Sequence, residues 1–440
     1  MSRPSTAAHD STRQTGSLGR DFRVAIVGGG ICGLIAAIGL NKSGILVDIF
    51  ESAPKYGEVG AGVGLGPNAI QAIKELGILD EIIARADQTL SRRGFNFKFG
   101  TGDCDFIWSY PTTDDDYGLG IHRAKFLEAL AEIIDTTLTT AHFNKRCVSV
   151  ENSSSRPIIY FADGTTHETD LVLGADGIRS TVRAAVVGEK QAEDSLSFSN
   201  TVAYRGLVPT ETLRSLGVKT DMVAKPLCWV GDGKHIITFP IKENTVINIV
   251  VFVKDFSIPI GSKRLPPSEP WVTRVSPDEL RSQFENWGDD PRIIISCLLE
   301  PSKWSIHSLN PELKTYVNGR IALMGDAAHG MLPHLGAGAG QAIEDAVLLS
   351  QLLGHPLTSS SNIPSVLLAY DRVRVPRATM AQRGSQRSGD IYDGHGESGL
   401  TQEGIRKDAE GQWDGVWHHD LGEDMRRAVE WLREEGAFGE

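Results

Sequence analysis

Apolar and polar positions along the chain fall into blocks of two kinds. The first is short and unbroken. "RVAIVG" (23–28) is largely β-branched and suits a strand buried on both faces. "ICGLIAAIGLNKSG" (31–44) continues at helical length with Gly44 as its stop, and "LVDIFE" (46–51) is the next buried strand. Strand, helix and strand make a βαβ unit of about 30 residues. The second kind is periodic. In "EVGAGVGLGPNAIQAIKELG" (58–77) a glycine loop leads to Pro67 at a helix's first turn, with Ile70, Ile73 and Leu76 on one face and Gly77 as stop. "GIHRAKFLEALAEII" (120–134) predicts another amphipathic helix. "RPIIYFADGTTHETDLVLGADG" (156–177) predicts a hairpin turning at Asp163-Gly164, then a buried strand running into a second "DG".

From Ser195 to about Lys254 the pattern changes. "TVAYRGLV", "HIITFPI" and "TVINIVVFV" follow one another without helices, which predicts a separate antiparallel sheet of the kind that covers a substrate. A Pro/Ser-rich connector precedes "SPDELRSQFENW", where Ser276, Pro277 and Glu279 predict a capping-box helix start. "GRIALMGD" returns to a buried strand and "GQAIEDAVLLSQLL" to a helix, while the chain beyond Tyr370 is polar and helical in part. The expected fold class is α/β: a Rossmann-type nucleotide-binding domain (21–194 and 316–385), an interleaved β-rich domain (195–315) and C-terminal helices in a polar tail (386–440). Residues 1–20 are polar, without the apolar core of a secretory signal, and read as a disordered leader.

Composition narrows the class. The chain has 440 residues, 40% hydrophobic and 23% charged, with a net charge of −12 that disfavours nucleic-acid and anionic-membrane partners. Five scattered cysteines without CxxC spacing predict free thiols in a reducing, cytoplasmic setting, and no metal site. The run "VAIVGGGICGLIAAIGL" is too short and too broken by glycine to span a membrane.

Three motifs carry candidate chemistry. Gly28-x-Gly30-x-x-Gly33 sits between a strand and a helix, with Glu51 closing the second strand. The glycines let backbone approach a pyrophosphate, the helix N-terminus attracts phosphate, and the acid can accept from ribose hydroxyls. That pattern fits NAD and FAD alike. "LVLGADGIRSTVR" (171–183) is a strand ending in Asp176-Gly177, with Ser180 and Arg183 on the helix beyond. "LMGDAAHGMLPHLGAGAG" (323–340) is a strand, an acidic turn at Asp326, and a glycine loop opening a helix.

In that order, the three motifs resemble the FAD-dependent aromatic hydroxylases of the para-hydroxybenzoate hydroxylase class, over about residues 22 to 385. "EVGAGVGLGPNA" and "PHLGAGAGQ" resemble the salicylate hydroxylase branch, which includes fungal relatives of secondary metabolism. The resemblance implies one FAD lying across the chain, with the adenosine end on the first loop and Glu51 at its ribose. Asp326 is implied at the ribityl chain, and the N–H groups of Gly338, Ala339 and Gly340 at the flavin's pyrimidine edge. Gly64 and Arg123 match further cofactor contacts. Asp176, Arg179 and Arg183 match residues associated with FAD and NAD(P)H pyrophosphate. The family reduces its flavin with NAD(P)H, adds O2 to form a flavin hydroperoxide, and hydroxylates an electron-rich ring. A phenolic, salicylate-like carboxylated substrate is the leading expectation, with a monomer or homodimer as the assembly. A tailoring oxygenase of the same fold and a flavin reductase without oxygen activation are the alternatives.

On the substrate side His334 matches a histidine of the "PHxGAGAGQ" motif, suited to phenol deprotonation because imidazole titrates near neutrality. Arg205 matches an arginine that could bind a carboxylate or phenolate, and an edge-strand ion pair is its structural alternative. Phe239 stands where dearomatising relatives carry tyrosine, which weakens that reading. His329 and His235 are weaker candidates, and strand alternation turns Tyr204 away from Arg205.

Overall fold

The computed structural model describes residues 20–57, 62–86, 90–92, 94–152, 156–241, 244–266 and 268–439. Residues 1–19 of the expected leader and "EVGA" (58–61) of the second glycine loop lie outside them.

Six strands form one sheet in the order Val317–Asn318, Ile321–Leu323, Leu171–Gly174, Arg23–Val27, Leu46–Phe50, Thr139–His142, parallel except at the first pair. Its register has a direct consequence for function. Val27 pairs with Gly174 on one side and Phe50 on the other, and Gly174 pairs with Leu323. The glycine turn at Gly28, the acid Glu51, the Asp176 turn and the Asp326 turn therefore all leave one edge of the sheet, at the carboxyl ends of four adjacent strands. That edge is where ligands bind in open α/β sheets. Helices Ile31–Lys42 and Gly338–Gly354 cover the sheet together; they meet so closely at Gly39 that a Cβ there would stand 2.2 Å from Ser350 Oγ. The strands are almost wholly buried, which is why their sequences are continuous apolar runs.

The second sheet has eight strands, in the order Val272–Arg274, Ser302–Leu309, Leu196–Pro209, Val246–Lys254, Lys234–Ile241, Leu227–Gly231, Asn96–Phe99, Phe106–Ser109. Neighbours are antiparallel except Leu227–Gly231 with Asn96–Phe99. One face packs on Trp229, Phe284 and Trp287. The other carries Ala203, Val250 and Phe252, with Ile237, Trp304 and Ile306 beside them.

Gly44 and Gly77 adopt positive φ (71° and 72°) as helix stops, and Gly164 (81°) turns the expected hairpin. Four expectations change. Asn96–Ser109, inside the 21–194 block, pairs into the β-rich sheet, so the two regions share a hairpin. Gly120–His122 finish a strand, Tyr117–His122, and the helix begins at Arg123. The capping box is incomplete: Ser276 Oγ accepts from Asp278 N–H, while the Glu279 carboxylate is drawn to Tyr204 and Lys303. The 385/386 boundary falls within one helix, Ile363–Tyr392, which runs through Pro376 and leads to helices Gln402–Ala409, Asp414–Trp417 and Leu421–Glu434. The tail is polar outside, but its Trp413, Trp417 and Leu432 are buried.

Candidate active site

The first loop is shaped by backbone crowding. Gly28 has φ +109°, and a Cβ there would lie 2.3 Å from Ala175 O; at Gly33 it would lie 2.1 Å from Gly28 O. These glycines weld the turn to the neighbouring strand. At Gly30, by contrast, a Cβ would meet nothing within 4 Å. Gly30 is the N-cap of helix Ile31–Lys42 and offers no side-chain cap. The first bond back into the loop is Leu34 N–H to Gly30 O, which leaves the amides of the first turn outside the helical ladder. An open cradle ringed by bare amides fits a pyrophosphate. Glu51 Oε2 accepts from Gly29 N–H at 2.8 Å and Oε1 from Ala53 N–H at 2.7 Å, so the carboxylate is pinned beside the cradle.

Asp176 is occupied locally. Its oxygens accept from Ser180 Oγ (2.6 Å) and from the amides of Thr181 (2.7 Å) and Val182 (3.1 Å). Burial pushes the carboxyl's pKa up, and those three donors oppose it. Arg183 is buried and donates to Ile178 O, Ala327 O and Asp326 O, clamping the second motif to the third. Arg179 is exposed and stacks on Trp271 at 3.8 Å, whose other neighbour is the His307 ring at 3.6 Å.

At the third motif Asp326 is exposed although Met324, Gly325, Ala327 and Ala328 beside it are buried. It stands exposed at the sheet edge. Helix Gly338–Gly354 likewise has no side-chain cap, and its first bond into the loop is Gln341 N–H to Ala337 O. The amides of Gly338, Ala339 and Gly340 thus lie outside the helical ladder, at a helix start whose dipole favours negative charge. Asn68 packs behind, 2.9 Å from where a Gly340 Cβ would stand.

A buried ionic network fixes this loop. Asp345 accepts from Gly325 N–H, from His329 Nε2 (2.6 Å) and from Arg374 Nε (2.7 Å). Glu344 accepts from Arg374, Arg377 and Asn68. Burial alone would raise both carboxyls, but His329 and Arg374 hold Asp345, and Arg374 and Arg377 hold Glu344, down to about 2. His329 is thus structural. From the tail, Trp413 Nε1 donates to Leu335 O at 3.0 Å, and Arg377 bonds the carbonyls of Gly415 and Val416. Nothing in the sequence pattern pointed to Arg374, Arg377 or Trp413 as supports of the loop.

The same loop lays His334 on the open face of the eight-stranded sheet. His334 is 8% exposed; its ring lies 4.9 Å from Phe252, 5.1 Å from His235, and directly against Gly389. Burial, then His235 and Lys254, push its pKa well below the ordinary histidine value. One row along, register places Arg205, Val250 and Ile237 side by side, and the next row holds Leu207, Asn248 and Phe239. Arg205 stacks on Trp304 at 4.9 Å, and among the described residues its buried Nε has no hydrogen-bond partner. Burial, then the nearby Arg123 guanidinium, lower its pKa. No ion pair involving Arg205 occurs among the described residues, so the edge-strand alternative gains no support. Tyr204 turns to the opposite face and bonds Glu279. Gly64 pairs with Gly120 on a short ribbon, and a Cβ on neighbouring Gly62 would stand 3.7 Å from Phe239. That ribbon, with Arg123 at its end, thus lies beside the open face of the eight-stranded sheet. Among the described residues no cluster of metal-ligating side chains occurs, and no helix is long and apolar enough to cross a membrane.

Comparison with known proteins agrees with this geometry. Residues 21–385 match the family model described as an FAD binding domain. A salicylate hydroxylase of Pseudomonas putida is 40% identical over 421 residues, covering 92% of this chain and 94% of its own. A 6-methylsalicylate 1-monooxygenase of Aspergillus terreus is 37% identical over 367 residues, 80% of this chain and 79% of its own. The solved structure of a salicylate hydroxylase substrate complex superposes with a TM-score of 0.82 at 33% identity, covering 93% of this chain and 98% of that one. The open cradle at Gly30, the uncapped start of helix Gly338–Gly354, the exposed Asp326 and this kinship agree: the chain belongs to the FAD-dependent aromatic hydroxylases, in their salicylate hydroxylase-like branch, and is an FAD-dependent monooxygenase that uses NAD(P)H and O2.

Proposed function

We propose that the enzyme hydroxylates a phenolic carboxylic acid of the salicylate class at the carboxyl-bearing carbon, releasing CO2. The observation that carries this reading is the pairing, on one face of the eight-stranded sheet, of an imidazole held neutral at His334 with a cation at Arg205 whose buried Nε lacks a partner among the described residues. The residues named for the cofactor are part of the proposal: Gly28, Gly30, Gly33 and Glu51 at the adenosine end, Asp326 at the ribityl chain, and the amides of Gly338, Ala339 and Gly340 at the flavin edge. Gly64 and Arg123 line the passage between, while Asp176 and Arg183 act by holding the loops. FAD, when bound, takes reducing equivalents from NAD(P)H and activates dioxygen, which is chemistry no side chain here supplies.

The chain's own residues do the rest. Arg205 holds the substrate carboxylate through a charge-assisted bond. Val250, Ile237 and Phe252 keep water from the ring. His334, uncharged because it is buried, accepts the phenolic proton and so makes the ring electron-rich where oxygen arrives. The 6-methylsalicylate relative favours a substituted salicylate as readily as salicylate itself. A cytoplasmic enzyme, monomeric or homodimeric, completes the proposal.

The test is a panel of aromatic acids assayed for substrate-stimulated NADH and NADPH oxidation, oxygen uptake and product mass. Salicylate giving catechol and CO2, or a methylsalicylate giving the matching diol, is the expected result. Nicotinamide oxidation that yields only hydrogen peroxide across the panel would remove hydroxylation of this class.

A further inference from the structure

We propose that His235 and Asp393 form a proton-accepting pair behind His334, so that the phenolic proton ends on a buried imidazole held by a carboxylate. This rests on the reading of His334 as the group that deprotonates the substrate. His235 and Asp393 are both wholly buried, with Nδ1 and Oδ1 2.6 Å apart. Asp393 caps the long helix Ile363–Tyr392 and lies beyond the residues matched by the family model. Among the described residues Nε2 of His235 has no partner, and neither has Nδ1 of His334, although both atoms are buried. Their rings are 5.1 Å apart at 63°. Two bare ring nitrogens on neighbouring buried imidazoles are costly unless one donates to the other. A small ring rotation, or one bridging water, would join them.

The surroundings set the direction of transfer. Phe252 stacks on His235 at 4.6 Å, and Lys254, on the same strand, is tied to Asp390 at 2.5 Å. From the long helix come Gly389, Asp390, Tyr392 and Asp393, and from strand Leu227–Gly231 comes Cys228, whose thiol the Asp393 carboxylate raises after burial. A positive charge left on His334 would face Lys254 and His235 without a carboxylate of its own. The same charge on His235 rests against Asp393. In the step, the phenol O–H breaks and its proton bonds to Nε2 of His334, while the proton on Nδ1 of His334 passes to Nε2 of His235. His235 keeps its Nδ1 proton toward Asp393, the substrate becomes a phenolate, and nothing is oxidised or reduced.

The experiment uses FAD-loaded wild type, Asp393→Asn, Asp393→Glu and His235→Gln, titrated with 5-nitrosalicylate in the absence of nicotinamide. The probe's phenolate absorbance is followed against pH, with flavin content and Tm measured in parallel. In Asp393→Asn the ionisation midpoint of the bound probe is expected to rise by about one pH unit or more. Coupled kcat on the accepted substrate is expected to fall about tenfold at nearly fixed KM, and Asp393→Glu to recover most of both. Should Asp393→Asn lose its flavin, His235→Gln carries the same comparison from the other partner. An unchanged midpoint in the folded variants, whatever their Tm, overturns the pair and leaves the function standing. Probe bound by wild type only as the neutral phenol overturns the pair together with the deprotonating role of His334. A wild type that binds neither this probe nor any phenolic acid overturns both.

Discussion

The edge of the parallel sheet and the open face of the antiparallel sheet solve opposite problems. At the edge, apart from the exposed Asp326, the charged side chains are satisfied from within: Glu51 by two amides, Asp176 by three donors, Asp345 and Glu344 by arginines. What remains for a ligand is mostly backbone, in two uncapped helix starts. On the open face, among the described residues, it is side-chain atoms that lack hydrogen-bond partners, at Arg205 Nε, His235 Nε2, His334 Nδ1 and Asp393 Oδ2. Each such buried atom costs about 1–3 kcal/mol until something meets it. The sheet edge is thus held mostly by its own side chains, while on the open face Arg205 Nε is the cationic atom without a partner among the described residues, the one the proposed substrate carboxylate would meet.

Substitutions that break this contrast should rank by how much charge they strand. Arg374→Met removes the cation from two buried carboxylates and should cost about 3–5 kcal/mol, read as a lower Tm with loss of bound FAD. Arg205→Met should act only at the other end, costing about 1.5–3 kcal/mol in binding carboxylated substrates. A flavin-quenching titration should show that loss for salicylate and almost none for phenol; equal losses for both would deny Arg205 its anchoring role. Gly389→Ala places a Cβ about 2.5 Å from His334 Cδ2, so the imidazole must move. Full flavin content with about tenfold less coupled product, a cost near 1.4 kcal/mol, is expected from rapid-quench and peroxide assays. Acid gives the smallest effect near neutrality. Asp345 and Glu344 have folded pKa values of about 2 against ordinary values of 3.8 and 4.5. Their contribution is complete above about pH 5 and is lost as pH falls through 4 toward 2. Flavin release on acid titration should follow that window, and release already near pH 6 would place the control elsewhere.

Much of the sheet edge was legible because it is made of short-range necessities. A strand, a glycine that must take φ +109°, and an uncapped helix leave marks within ten residues of one another. The capping box at Ser276 misled because Glu279 found Lys303 and Tyr204, partners that spacing could not reveal. Arg374 and Trp413 escaped for the same reason, since they look like ordinary helical residues until the fold sets them against the loop and first turns of helix Gly338–Gly354.

The sequence by itself determined the two kinds of sheet, the three turns, and the family they belong to, since buried apolar runs and obligatory glycines are written locally. Only the tertiary structure decided that four strand ends share one edge, that a hairpin from the first block joins the second sheet, and that Asp393 from the tail meets His235. Pairing across 158 residues depends on which surfaces bury each other, and burial energy depends on area and contact rather than on order along the chain.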